Sequence, residues 1–127
     1  MPDAPVPDTL DSLTAVRDRL RAFADERDWN QFHAPKNLAM ALIVEAAEVV
    51  EHFQWQDPIG VSTPDQRAAI GAELADVLFY LVRLADRLDI DLPAAAADKL
   101  AANAAKYPAH RVRGSSRKYD EYNEHDD

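Results

Sequence analysis

Two pairs of acids, Glu45-Ala-Ala-Glu48 and Glu73-Leu-Ala-Asp76, interrupt the two most apolar stretches of the chain, Leu38 to Val50 and the run that continues through Val77 to Val82. An ionised carboxylate withdrawn from water costs on the order of several kcal/mol unless it is paired or bound to a metal. Spacing of i, i+3 puts both members of a pair on one face of a helix, so two such helices facing each other converge four acids on one spot. Hard oxygen ligands in that number suit Mg²⁺, with Mn²⁺ as a substitute, rather than zinc. A single acidic pair is more often a solvated helix stripe. Two pairs of matching spacing, each flanked by Leu, Val and Ile, favour a shared cation.

Both motifs extend further. Glu45, Glu48 and His52 fall at i, i+3 and i+7, and Glu73, Asp76 and Tyr80 repeat that spacing, as expected of a metal site built between helices of a bundle. A di-iron site is the competitor, but its helices supply Glu-x-x-His, and neither motif has His at that offset. Mg²⁺ keeps several waters and takes phosphate oxygens in its remaining positions, which points to a phosphorylated substrate.

Two further sets fit such a ligand. Lys99, Asn103 and Lys106 share one face of an Ala-rich segment and could reach phosphate oxygens, or form a solvated polar stripe. Trp29, Phe32, His33 and Trp55 lie in the loops flanking the Glu45 segment, where aromatic rings can stack a nucleobase for about 1–3 kcal/mol. The alternative is that Trp29 and Phe32 plug the end of a bundle, and that His33 and His52 are ordinary surface histidines.

The elements that must position these residues are helices. Leu10, Leu13, Val16, Leu20 and Phe23 recur at steps of three and four, which predicts a first helix from Asp8 or Thr9 to about Asp28. Trp29 to Ala34 has no helical period and reads as a linker. Pro35 suits the first turn of a second helix, running to about Phe53. Gln54 to Ser62 reads as a loop with Trp55, Pro58 and Gly60. Thr63 and Gln66 have the spacing of a capping box for a third helix reaching about Leu88. Asp91-Leu92-Pro93 opens a fourth, to about Lys106. The third helix is apolar almost all round (Leu74, Val77, Leu78, Phe79, Leu81, Val82, Leu84, Leu88), so most of its sides require cover, and other subunits are expected to supply part of it.

The expected organisation is an all-α, oligomeric four-helix bundle: a loose arm at 1–8, a helical domain at 9–106, and an extended, mobile C-terminal tail at 107–127 that turns basic (His110, Arg111, Arg113, Arg117, Lys118) and then acidic. A chain of 127 residues is one domain. It has no cysteine, which excludes disulfides, thiolate catalysis and Cys-ligated zinc. No signal-peptide pattern or membrane-length apolar run is present, so a cytoplasmic location is expected and no membrane partner. The formal net charge of −9 repels polyanions and argues against nucleic-acid binding. A small nucleotide arriving with its metal fits better.

Glu45-x-x-Glu48 followed by Glu73-x-x-Asp76 resembles the signature of the all-α nucleoside triphosphate pyrophosphohydrolases, the MazG-like group. Glu26-Arg27-Asp28-Trp29, Gln31-Phe32-His33, Phe53-Gln54-Trp55, Asp76-Val77-Leu78, Tyr107-Pro108-Ala109-His110 and Ser115-Ser116-Arg117-Lys118-Tyr119 are similar to stretches of its dCTP pyrophosphatase branch, so the likeness covers roughly residues 10 to 119. It implies a helical enzyme, dimeric or tetrameric with the tetramer favoured, that cleaves between the α and β phosphates with Mg²⁺ held at the acidic helices. Carried over by position, Glu45, Glu48, Glu73 and Asp76 would be the catalytic metal ligands. Trp29, Asn30, Gln31, Phe32, His33, Trp55 and Tyr80 would line the nucleotide pocket, with Lys99 and Asn103 near the triphosphate. A pocket histidine that vertebrate members carry on the first helix aligns with Leu20 here, and the loop between the second and third helices is shorter.

The reaction expected is hydrolysis of dCTP or modified dCTP to dCMP and pyrophosphate, with Glu45 or Glu48 as base toward the attacking water, in sanitation of the nucleotide pool. The alternatives are the same reaction on dUTP or another triphosphate, and a non-catalytic helical assembly module.

Overall fold

A computed structural model of the chain describes residues 5–56 and 63–116, and their regular structure is all helical. Helices α1 (Leu13–Glu26), α2 (Pro35–Glu51) and α3 (Pro64–Arg87), with a 3₁₀ turn at Asn30–Phe32, belong to one unit that ends at Ile90. Helices α4 (Leu92–Lys106) and α5 (Ala109–Val112) belong to a second. Pro58, Gly60, Arg117 and Lys118, expected in the connecting loop and the tail, lie outside the described residues, as do residues 1–4.

Local chemistry sets the helix starts. The Ser12 hydroxyl accepts from the Ala15 N–H at 3.0 Å, so α1 begins at Leu13 and not at Asp8 or Thr9. Hydrophobic spacing carried the expected start too far, because Leu10 continues the apolar period ahead of the residue able to cap. Pro35 occupies the first turn of α2 as expected. Thr63 and Gln66 form the reciprocal capping box of α3, each bond 3.2 Å. Asp91 caps α4 through Ala94 N–H at 3.0 Å.

Two helix ends share a device that spacing did not reveal. After α1, Asp28 has φ 53°, and the Trp29 and Asp28 N–H groups return to Ala24 O and Asp25 O. After α3, Asp89 has φ 54°, and Ile90 and Asp89 return to Ala85 O and Asp86 O. Each is a Schellman closure with an aspartate in the left-handed position usually held by glycine. The first turns the chain sharply enough to set Trp29 beside α1. That explains why the expected linker is a structured turn.

Helices α2 and α3 run antiparallel: the His33 carbonyl meets Arg87, Glu45 lies beside Asp76, and His52 lies 3.8 Å from Glu73. Helix α1 is tied to α3 by Arg21 and Asp86. The buried apolar residues among those described, Ala15, Val16, Ala24, Leu38, Ile70, Val82 and Ala85, all come from α1 to α3. Much of the apolar surface of α2 and α3 faces outward: Met40, Ile43, Val44, Val50, Leu74, Leu81 and Leu88 are exposed. In the second unit α4 has no buried residue, and a helical turn at Ala109–Val112 stands in the stretch read as extended tail.

Candidate functional site

On α2, Glu45, Glu48 and His52 recur at helical steps and lie against the acids of α3. On α3, Glu73, Asp76, Tyr80, Arg83 and Arg87 form the opposing stripe. Antiparallel packing brings the acids together, with one carboxylate oxygen from each of Glu45, Glu73 and Asp76 lying within 4.8 Å of the others. Glu48 is not in that triple; its carboxylate stands at hydrogen-bond range of both Glu45 and Glu73. The spacing predicts four acids converging on one spot. What is assembled is three converging oxygens with Glu48 bridging two of their owners.

The electrostatics follow from the crowding. The hydrogen bond to Glu48 is the largest cause of a Glu45 carboxyl pushed up to about 7, followed by loss of water and by repulsion from Glu48, Asp76 and Glu73. Glu73 is raised for the same reasons, with His52 pulling the other way. Glu45 Oε2 is buried without a hydrogen-bond partner among the described residues. A buried acceptor left unsatisfied beside other carboxylates is what a cation would resolve. The donor set is all oxygen, and so fits Mg²⁺ or Mn²⁺.

The aromatic turn lies at the other end of the α3 stripe. Trp29 packs edge-on against Phe23 (centroids 5.6 Å) and His33 (6.3 Å). Gln31 Nε2 donates to the Asp28 carbonyl at 3.0 Å and its carboxylate at 3.1 Å. Trp29 and Phe32 remain exposed, and Trp55 is 89% exposed. Tyr80 is half-buried on α3, one turn beyond Asp76. Lys99 and Asn103 lie exposed on α4 in the second unit.

The model of the MazG-like family matches residues 40–122, which contain both acidic motifs. The chain belongs to the MazG-like family. Human dCTP pyrophosphatase 1 is 53% identical over 115 residues, covering 87% of this chain and 67% of that protein. Mouse dCTP pyrophosphatase 1 is 48% identical over 112 residues, covering 85% and 66%. The chain thus spans about two thirds of the length of the curated relatives it matches. The crystal structure of a pyrophosphatase from Archaeoglobus fulgidus superposes with a TM-score of 0.65 at 33% identity, covering 82% of this chain and 99% of that one.

Within this MazG-like frame, one functional candidate escaped the sequence reading. Arg83 is only 6% exposed, in the middle of the apolar run of α3. Its Nε donates to His33 Nδ1 at 3.1 Å, a second guanidinium nitrogen donates to Asn30 Oδ1, and a third lies 3.6 Å from Asp86. The signal was present in Leu81-Val82-Arg83-Leu84, a lone cation in an apolar segment. Such a residue is rarely buried unless its donors are used.

Proposed function

We propose that this chain is a divalent-metal-dependent pyrophosphohydrolase that converts dCTP, or modified dCTP, to dCMP and pyrophosphate. The converging oxygens of Glu45, Glu73 and Asp76, with a buried Glu45 oxygen left unpartnered, carry the reading. The dCTP pyrophosphatases among its relatives supply the substrate.

Glu45, Glu73 and Asp76 would hold the metal, with Glu48 in reserve as a further ligand. Bound Mg²⁺, or Mn²⁺ in its place, supplies charge neutralisation on the phosphates and lowers the pKa of water. Glu48, which touches two of the three ligands, is assigned as acceptor of the attacking water's proton. Water adds to one phosphorus of the α–β bridge, the bond from that phosphorus to the bridging oxygen breaks with its electron pair, and the products are dCMP and pyrophosphate. The turn of Trp29, Asn30, Gln31, Phe32 and His33, together with Trp55 and Tyr80, would hold the nucleoside, with exposed rings offered for stacking.

The proposed setting is cytoplasmic, and no described helix is long and apolar enough to cross a membrane. We assign a homo-oligomer, supported by the outward apolar faces of α2 and α3, and favour a tetramer over a dimer on the family resemblance alone. Pyrophosphate release from dCTP, dUTP, dTTP and dATP, with Mg²⁺ and with excess EDTA, is the test. The highest kcat/KM is expected with dCTP, and activity that survives EDTA would exclude the metal role.

A further inference from the structure

The face of α3 changes character along its length. Glu73 and Asp76 meet the α2 acids, whereas Arg83 and Arg87, on the same stripe, meet the turn that carries the aromatics. Arg83 lies about 10 Å along the helix from Asp76, seven residues at a rise of 1.5 Å. That is comparable with the span from base to phosphates in a nucleoside triphosphate.

The bonds around Arg83 leave little freedom. Asn30 accepts from Arg83 at Oδ1 and donates from Nδ2 to Asp25 at 2.5 Å, which fixes its amide. Arg87 Nε donates to the His33 carbonyl at 3.1 Å. Arg83 Nε–H can only donate, because guanidinium has no acceptor and does not deprotonate in proteins. His33 Nδ1, which receives that bond, must therefore be bare, and the proton of the neutral ring must sit on Nε2. Burial, then the charges of Arg83 and Arg87, lower the pKa of His33, which keeps the ring neutral. Trp29 against the imidazole restricts its tilt.

We propose that Arg83 is a positioning residue for substrate recognition: it holds His33 as the Nε2–H tautomer and, through Asn30, pins the 29–33 turn to α3, so that His33 offers one fixed donor to an acceptor on the base. N3 of cytosine is such an acceptor. N3 of uracil or thymine carries a proton and would repel the donor. The proposal rests on the dCTP reading above, but the tautomer does not.

Two measurements test it. Imidazole ¹⁵N NMR of the whole protein without nucleotide should show His33 with bare Nδ1 and protonated Nε2; a Nδ1–H tautomer in the wild type would overturn the inference without any variant. In steady-state kinetics, Arg83→Met should raise KM for dCTP about tenfold or more and narrow the dCTP over dUTP preference, with kcat held within about threefold. Arg83→Lys should not restore it, since a point ammonium cannot serve His33 and Asn30 as a planar fork does. Loss of helical CD signal in Arg83→Met would leave the decision to the imidazole spectrum of the folded wild type, where bare Nδ1 on His33 is expected and a His33 Nδ1–H overturns the inference. If Arg83→Met folds and leaves KM and selectivity unchanged while the wild type prefers dCTP, the inference fails and the proposed function stands. Failure of the wild type to hydrolyse any of the nucleotides would overturn the proposed function and the recognition role together.

Discussion

Arg21 on α1 grips the carboxylate of Asp86 on α3 with two nitrogens, Nε at 2.7 Å and Nη2 at 2.5 Å. The pair joins two helices across sixty-five residues of sequence. Arg21 is half exposed, but the Asp86 side chain is only 10% exposed. The hydrogen bond from Arg21 is the largest reason that the Asp86 carboxyl lies below its ordinary value, ahead of the opposing effect of burial.

Arg21→Ala should therefore destabilise the protein by about 1 kcal/mol, less than a buried charged bond because solvent screens the arginine. The sign of the pH dependence follows from the depressed carboxyl. Its contribution is complete above the unfolded value and is lost as pH falls through the lower folded value. Urea unfolding of wild type and variant should differ at pH 7 and converge in strong acid. A difference independent of pH would remove the role given to Asp86.

Glu45 has the opposite sign. Its folded carboxyl, raised to about 7 chiefly by the hydrogen bond to Glu48, keeps a proton that the unfolded chain has released. Metal-free stability should thus fall as pH climbs from the ordinary glutamate value near 4.5 to about 7. A divalent ion competes with that proton, so the rise in Tm produced by Mg²⁺ should be larger at pH 8 than at pH 6. Glu45→Gln should raise the metal-free Tm at pH 8 and abolish the Mg²⁺ response. Glu48→Gln should lower kcat by about 10²–10⁴-fold, the usual contribution of a general base, with helical CD unchanged.

Much of this was legible because helices of 3.6 residues translate spacing directly into faces. Glu45, Glu48, Glu73 and Asp76 could be set on opposing faces from spacing alone, and Thr63, Gln66, Pro35 and Asp91 mark starts by their own hydrogen-bonding chemistry. The distances among the four carboxylates could not be read, because they depend on the axial offset of two helices and not on either helix. The 29–33 turn was read as a linker because its order comes from outside: Arg83 and Arg87 lie fifty and more residues away. The closures at Asp28 and Asp89 were hidden by the use of aspartate where glycine is the usual sign.

Asp89 offers a direct check of that closure. At φ 54° an L-residue pays a steric cost of roughly 1–2 kcal/mol, less for aspartate, which tolerates this region. Asp89→Gly should stabilise the protein by about 0.5 kcal/mol once the greater freedom of glycine in the unfolded chain is subtracted. Thermal unfolding should show a small rise in Tm. A fall would mean that the aspartate side chain contributes more than the backbone relief.

The outward face of α2 supplies the last test. Met40, Ile43, Val44 and Val50 are each more than half exposed, and burying a side chain of this size stabilises by about 1.5–3 kcal/mol. Several together on one helix make a surface suited to a second copy of the chain. Light scattering should report an assembly several times the 14.2 kDa of one chain. Ile43→Asp would place a carboxylate in that contact, on a face opposite to Glu45 and Glu48, and should shift the assembly toward monomer while the helical CD signal persists. A wild-type monomer at micromolar concentration would sink the homo-oligomer assignment. The conversion of dCTP should then be measured on the monomer itself, because the acid cluster is complete within one chain.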